Sequence, residues 1–259
     1  MKDIISVIVV TYNRLDYLKL TIESILSQSY RELEVIVIGD GHQPDVSAYI
    51  DQHDDLRISY FYVNHCGYPA KGRNLGIQNS RGSLIAFCDD DDIWASDKLA
   101  KQLDVFKKNK EIRLCCTNRS FINSDGKILE GRSLKWSPTK YSLKRLLLSN
   151  FVSYSSVLLK REILNEAGLF PDDIKFKAVE DYHLWIRIAY FGKVFFLNEK
   201  LVLYRIHNSN ITSKLSLGAN RNIHLYKDLF DSYKFKKIDR LMTYSMAYFK
   251  LFYYKLMGR

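Results

Sequence analysis

Four consecutive carboxylates, Asp89-Asp90-Asp91-Asp92, follow an apolar run, Leu84-Ile85-Ala86-Phe87-Cys88, and precede Ile93-Trp94. The apolar run reads as a buried strand, so the acids stand where that strand leaves its sheet. Like charges crowded together cost free energy unless cations neutralise them. Hard divalent ions, Mg²⁺ or Mn²⁺, prefer oxygen ligands and leave coordination positions for phosphate. The carboxyl end of a strand in an open α/β sheet is also where ligands bind. The competing reading is a solvated acidic turn that caps the next helix. Asp97, ahead of Lys98-Leu99, can cap that helix unaided, which leaves the four acids for a metal or ligand. Two other places carry similar groups. Glu180-Asp181 opens a helical pattern, where acids also simply suit the positive end of the helix dipole. His207 follows the last predicted strand, as a metal contact or as a structural residue.

The elements that must position these groups alternate. Residues 4–10 read as a first buried strand, with Thr11-Tyr12-Asn13-Arg14 as its exit turn. Leu15, Leu18, Ile22, Ile25 and Leu26 have helical spacing. A second strand over 33–38 ends in Gly39-Asp40-Gly41. A short helix over 46–50, a third strand over 58–63 and a loop and helix over 67–79 come next. The strand at Leu84 and a helix over 96–108 complete the first half. This predicts an α/β fold with a mostly parallel, nucleotide-binding type of sheet. It is not a dinucleotide-binding fingerprint, because Pro44 stands where a third glycine is needed, and no phosphate-binding loop exists. In the second half, strands are expected over 113–122, 127–129, 155–159, 194–197 and 201–206. Helices are expected over 141–149, 161–167 and from Val179 through Ala189. Asn123-Ser124-Asp125-Gly126 is a strong turn signal.

A chain of 259 residues can hold one large domain with a small appendage, and its core does not need disulfides. Cys66, Cys88, Cys115 and Cys116 lack zinc-type spacing, and adjacent Cys115-Cys116 on a strand point to opposite faces. Reduced, buried thiols in a cytoplasmic protein are expected. No secretory pattern opens the sequence, and no stretch reaches the ~20 apolar residues of a spanning helix. The net charge is +10, and residues 221–259 hold nine Lys/Arg against three Asp/Glu, +6 in that tail alone. Such a basic tail suits an anionic membrane, an anionic substrate or nucleic acid.

Several short pieces now line up. Ser6-Val7-Ile8-Val9-Val10-Thr11-Tyr12-Asn13-Arg14, Ser27-Gln28-Ser29-Tyr30, Gly72-Arg73-Asn74-Leu75-Gly76-Ile77, Phe87 through Trp94, Glu180-Asp181 and Tyr204-Arg205-Ile206-His207 occur in this order. Over about the first 207 residues they resemble the family 2 glycosyltransferases, which have the GT-A fold. The resemblance implies transfer of a sugar from a nucleotide diphosphate donor, with inversion and with Mn²⁺ or Mg²⁺. Two departures stand out. Gly39 replaces the first of two acids that the family commonly carries after its second strand, leaving Asp40. The family's aspartate-any-aspartate signature falls within four identical residues, which blurs the register of roles.

The resemblance implies these roles. Asp91 is the metal ligand, assisted by Asp89, with His207 a further metal or diphosphate contact. Asp90 sits near the ribose. Arg73 contacts the diphosphate or base, or is a surface helix arginine. Thr11, Tyr12 and Arg14 belong to the donor-binding turn. Uracil offers an imide N–H and a face for stacking, so Asp40 and Tyr12 are its candidate contacts, or else Asp40 only shapes a tight turn. Asp181 is the general base that activates an acceptor hydroxyl.

In the tail, Ile238, Leu241, Met242, Tyr248, Phe249, Phe252 and Leu256 fall near one helical stripe among Lys237, Arg240, Lys250, Lys255 and Arg259. This predicts a helix lying in a membrane interface, or one packed on the catalytic domain or on a second subunit of a homodimer. No nucleic-acid motif accompanies the charge. The expectation is therefore an inverting hexosyltransferase with a GT-A domain over 1–207 and a helical extension over 208–259. Its donor is a UDP-sugar, UDP-Glc or UDP-Gal first. Its acceptor is a glycan or a lipid-diphosphate-linked sugar of a surface polysaccharide, met at the cytoplasmic face of the inner membrane. The rival readings are a metal-dependent phosphohydrolase or nucleotidyltransferase, and a non-catalytic module that binds nucleotide sugar or glycolipid.

Overall fold

A computed structural model describes residues 3–130, 139–141, 143–207 and 215–257. Strand β1 (Ile5–Thr11) is apolar on both faces and buried on both, as a parallel strand covered by helices should be. Helix α1 (Leu15–Leu26) turns Leu18, Ile22 and Ile25 onto the sheet. Then come β2 (Leu33–Asp40), α2 (Pro44–Asp51), β3 (Ile58–Val63), α3 (Pro69–Gln78) and β4 (Leu84–Asp89). β1 pairs in parallel with β2 on one side and β4 on the other, and β3 lies outside β2. The chain thus winds outward through β2 and β3, then returns across β1 to place β4. That reversal is a topological switch point, and it sets the ends of β1 and β4 side by side, Val10 opposite Asp89.

The second half is β5 (Ile93–Trp94), α4 (Lys98–Lys108), β6 (Ile112–Ile122), β7 (Ile128–Leu129), β8 (Thr139–Tyr141), α5 (Leu143–Leu148), β9 (Leu158–Lys160), α6 (Leu164–Ala167), α7 (Glu180–Phe191) and β10 (Lys193–Arg205). Helices α8 (Leu215–Ser232) and α9 (Lys237–Leu256) end the chain. The sheet order is β3-β2-β1-β4-β9-β6-β10-β5, with β7 on β6 and β8 on β10. β9 runs antiparallel between β4 and β6, whereas β6 and β10 are parallel, so the sheet is mixed beyond β4.

Three expectations need correction. The strand sought over 155–159 begins later, because Tyr154–Ser156 form a 3-10 turn in which Ser156 Oγ and N both donate to Ser153 O. Serines that bond their own backbone compete with a ladder in this way. The two closing strands are one, β10. The polar Asn198-Glu199-Lys200 stretch is a bulge where the register against β6 shifts, not a turn. Asp97 stands at the N-cap of α4 but makes no side-chain cap, and instead lies 2.7 Å from Lys101.

The core forms a layer on each sheet face. Val7, Val9, Ala86, Cys88 and Cys115 point toward α1, α2 and α4. Ile8, Ile85, Phe87 and Cys116 point toward α3, α5 and α7, with Trp185 of α7 fully buried among them. Cys115 and Cys116 therefore do face opposite ways. Gly72 and Gly76 lie where a Cβ would meet Val10 at 3.1 Å and Ile8 at 2.5 Å, so these glycines let α3 sit close on the sheet. Leu225, Tyr226, Leu229 and Phe230 of α8 join the α7 layer, and Tyr182 Oη bonds Leu146 O and Tyr226 Oη. α9 packs on α5 and α8 through Thr243 and Ala247. Its opposite side leaves Leu241, Tyr248, Phe249, Phe252 and Leu256 more than half exposed. The expected boundary at 207/208 falls at the edge of the described residues, and Arg259 lies outside them.

Candidate active site

The turn after β1 reaches its shape through Asn13, whose φ of 53° is left-handed, a conformation asparagine tolerates. Gln43 pins that turn: its Oε1 accepts from Asn13 N at 2.7 Å and its Nε2 donates to Thr11 O at 3.0 Å. Thr11 is buried, while Tyr12 is half-exposed and stacks on His65 with ring centroids 4.4 Å apart. Arg14 is thereby aimed at the acids beyond β4.

Those four acids have four different surroundings. Asp89 is the most open; its N–H donates to Ser155 Oγ, and its Oδ1 lies 3.4 Å from Arg73. Asp90 is buried, with Arg14 3.2 Å from Oδ1 and Tyr12 N 3.4 Å from Oδ2. Burial, then Asp91, pushes its carboxyl up to about 7 against the pull of Arg14. Asp91 Oδ2 receives Arg14 Nη1 at 2.9 Å and lies 2.7 Å from His207 Nε2. Asp92 is fully buried; its Oδ1 accepts from Arg205 N, its backbone O accepts from Thr21, and burial holds its carboxyl well above the usual range. Arg205 donates to Asp91 O at 2.9 Å and to the carbonyls of Asn123 and Ser124, and so ties β10 to the turn that displays Asp91. Asp92 and Arg205 build the site, and Asp91 and His207 lie in contact on it.

Asp40 spends both carboxylate oxygens on the next loop, accepting from Cys66 N and Gly67 N at 2.8 Å each, with His65 Nδ1 3.1 Å away. A Cβ on Gly39 would lie 2.5 Å from Tyr60 Oη, a hydroxyl that also accepts from Gln43 N. The position where the family commonly has its first acid is thus filled from β3.

Across the cleft, Ala178 holds a φ of 68°, a strained left-handed backbone for alanine that costs about 1–3 kcal/mol. It delivers Glu180 and Asp181 at the start of α7. Arg73 is buried, not a surface arginine. It donates to Glu180 Oε1 at 2.7 Å, approaches Asp89 and lies 3.6 Å over the ring of Tyr154. Asp181 Oδ1 accepts from Tyr182 N at 2.6 Å. Burial, then the Glu180 charge, pushes the Asp181 carboxyl up to about 7, opposed by Arg73. A carboxylate poised there can hold or release a proton near neutrality.

Among the described residues no group of three or more His, Cys, Asp and Glu side chains forms a ready metal cage. Asp91 and His207 do supply two suitable donors on one side of the cleft. That number fits a Mg²⁺- or Mn²⁺-type ion that takes its remaining ligands from water and substrate phosphate. Trp94 and Trp185 are buried and do not line the cleft, and Trp136 lies outside the described residues. Gln43, His65, Tyr154, Ser155 and Arg205 escaped the sequence reading as site residues. Only Arg205 left a signal, an arginine closing an otherwise apolar strand.

Residues 6–168 match the family described as Glycosyl transferase family 2. The chain belongs to that family. It is 35% identical over 210 residues to an uncharacterized glycosyltransferase of Rickettsia bellii, covering 80% of this chain but 29% of that protein. It is 28% identical over 229 residues to WfaP of Escherichia coli, named UDP-Glc:alpha-D-GlcNAc-diphosphoundecaprenol beta-1,3-glucosyltransferase, covering 88% of this chain and 87% of WfaP. Two solved structures share the fold. TarS of S. aureus in complex with UDP-GlcNAc has a TM-score of 0.73 at 17% identity, over 93% of this chain and 69% of that one. The mannosyltransferase PcManGT of Pyrobaculum calidifontis, in complex with GDP-Man and Mn²⁺, has a TM-score of 0.70 at 17% identity, over 99% of this chain and 74% of that one. The GT-A fold and transferase class expected from the sequence are therefore borne out.

Proposed function

We propose that this glycosyltransferase moves a hexose from a UDP-sugar to a hydroxyl of a lipid-diphosphate-linked sugar, with inversion. The observation that carries the reading is Arg73, which bonds Glu180 beside Asp181 and approaches Asp89 of the acidic run. One buried cation thus joins the proposed base to the proposed donor site in one cleft. Asp181 takes the proton of the acceptor hydroxyl. The acceptor oxygen forms a bond to the anomeric carbon from the face opposite the diphosphate, and the bond to the diphosphate oxygen breaks with its electrons. UDP leaves, and an α-linked donor gives a β-linked product. Asp91 and His207 would hold Mg²⁺ or Mn²⁺, which as a Lewis acid stabilises charge on the departing diphosphate. Asp90 lies toward the ribose and Tyr12, with its His65 partner, toward the base. Asp40 serves by holding the Cys66–Gly67 loop that follows His65. UDP-Glc leads UDP-Gal because the similar WfaP is named for UDP-Glc.

The acceptor is met at an anionic membrane surface through α9. Residues 234–259 hold seven Lys/Arg and one Asp, and the exposed apolar face of α9 lies among them. No described helix is long and apolar enough to cross a membrane, so the contact is interfacial. Two copies joined through α9 would bring like charges together, which disfavours the dimer.

The test is calorimetric binding of UDP, GDP, CDP and dTDP with and without Mn²⁺, followed by a UDP-sugar transfer panel on lipid-linked acceptors. Metal-dependent UDP binding and release of UDP on transfer support the reading; metal-dependent preference for another nucleotide overturns the donor, and release of inorganic phosphate overturns the reaction class. Flotation with vesicles containing anionic lipid tests α9. Binding lost in a Phe249→Ser/Phe252→Ser variant is expected, and binding equal to wild type would remove the membrane role.

A further inference from the structure

Arg14 and His207 both converge on Asp91 Oδ2, at 2.9 and 2.7 Å, and the same Arg14 nitrogen also lies 3.2 Å from Asp90 Oδ1. The oxygen best placed for a divalent ion is therefore already held by a guanidinium. Arg14 remains 29% exposed, whereas the Asp90 and Asp91 side chains are nearly buried, so Arg14 is the partner that can leave. Its backbone cannot follow, because Gln43 fixes the turn on both sides of Tyr12.

We infer that Arg14 is a positioning residue that makes metal binding conditional on the nucleotide. The inference rests on the proposed donor site. While Arg14 lies on Asp90 and Asp91, a divalent ion at Asp91 meets a like charge at contact distance. Arg14 can withdraw into solvent, but it then exchanges its charge-assisted bonds to Asp90 and Asp91 for bonds to water alone. A diphosphate changes this balance by offering the guanidinium a bidentate anion in exchange. Arg14 then passes from the carboxylates to the diphosphate as Asp91 becomes available. Binding of metal and nucleotide is thereby coupled, and the coupling is reciprocal: each ligand tightens the other by the same factor.

The experiment is titration calorimetry of Mn²⁺ with and without saturating UDP, on wild type, Arg14→Met and Arg14→Lys, with folding checked by circular dichroism. Wild type is expected to bind Mn²⁺ weakly alone and at least about 10-fold more tightly with UDP, within the usual range of coupling. Arg14→Met is expected to bind Mn²⁺ alone about 5–10-fold more tightly than wild type, with a smaller UDP factor. Arg14→Lys keeps a cation over the acids and is expected to keep weak binding of Mn²⁺ alone. An Arg14→Met protein with unchanged Mn²⁺ affinity and unchanged UDP factor overturns the inference and leaves the donor site standing. An unfolded Arg14→Met moves the decision to Arg14→Lys, where Mn²⁺ binding alone tighter than wild type overturns it. Wild type that binds Mn²⁺ no better with UDP overturns both.

Discussion

Two acidic clusters face one cleft, and they are compensated differently. In the run after β4, Asp90 and Asp91 share Arg14, Asp91 also meets His207, and Asp92 is held by the backbone of Arg205. At the start of α7, Arg73 bonds Glu180, while among the described residues Asp181 accepts the N–H of Tyr182. Glu180 Oε2 is buried without a hydrogen-bond partner. In the first cluster Asp91 shares Arg14 and His207, partners that a cation could replace, while burial holds the Asp90 and Asp92 carboxyls up. In the second, burial and then the Glu180 charge push the Asp181 carboxyl up to about 7 against the pull of Arg73. The difference lies in access: Arg14 is 29% exposed and can move, whereas Arg73 is buried and fixed between Glu180 and Asp89.

The contrast can be broken at several points. Asp181→Asn should have the largest effect, lowering kcat by about 10²–10⁴ while UDP affinity in calorimetry stays within about twofold. Retained turnover would remove Asp181 from the chemistry. Asp91→Ala should weaken metal-dependent UDP binding by at least about 10–100-fold, the range that loss of even an outer partner of a metal ligand costs. Glu180→Gln sharpens the comparison. Burial and the Glu180 charge push the Asp181 carboxyl up to about 7, so if it is the proposed base, which acts only when ionised, kcat should rise with pH through that value. Removing the neighbouring negative charge, and freeing Arg73, should move the midpoint of the kcat profile to lower pH. A midpoint that rises or stays fixed would mean another group controls the profile.

A smaller effect is expected on stability, away from both clusters. Lys98 is fully buried, donates to Gln102 and lies 3.7 Å over the ring of Trp94; burial lowers it to about 7. Between that value and its ordinary 10.5 the unfolded chain binds a proton that the folded chain does not. Stability should therefore rise with pH across this window. Lys98→Met should flatten the rise and lift Tm at pH 7 by about 2–4 °C, as scanning calorimetry at several pH values would show.

How far these clusters could be read from sequence depended on how local their causes are. The buried strands β1 and β4 announce themselves as unbroken apolar runs, and the acids at their ends follow. The division of labour among Asp89 to Asp92 does not, because four identical residues carry no register. It is imposed by Arg14 and Arg205, which are 75 or more residues away in sequence from the acids they contact. Asp97 looked like a sufficient cap, yet its carboxylate prefers Lys101. The bulge over Asn198-Glu199-Lys200 looked like a break because polar residues on a strand resemble a turn until the partner strand is known. Ala178 gave no sign at all, since its left-handed backbone is set by the fold around it.

The loop tethered by Asp40 has a use at the bench. All four cysteines are free thiols; Cys88, Cys115 and Cys116 are fully buried, and only Cys66 is partly open to solvent. The N–H of Cys66 is one of the two that Asp40 grips, and burial pushes its thiol up, so it should alkylate slowly. The native chain therefore carries a single-site chemical reporter next in sequence to His65, whose ring stacks on Tyr12. Its labelling rate would register whether that wall of the cleft loosens or tightens when a nucleotide arrives, with no engineered cysteine needed.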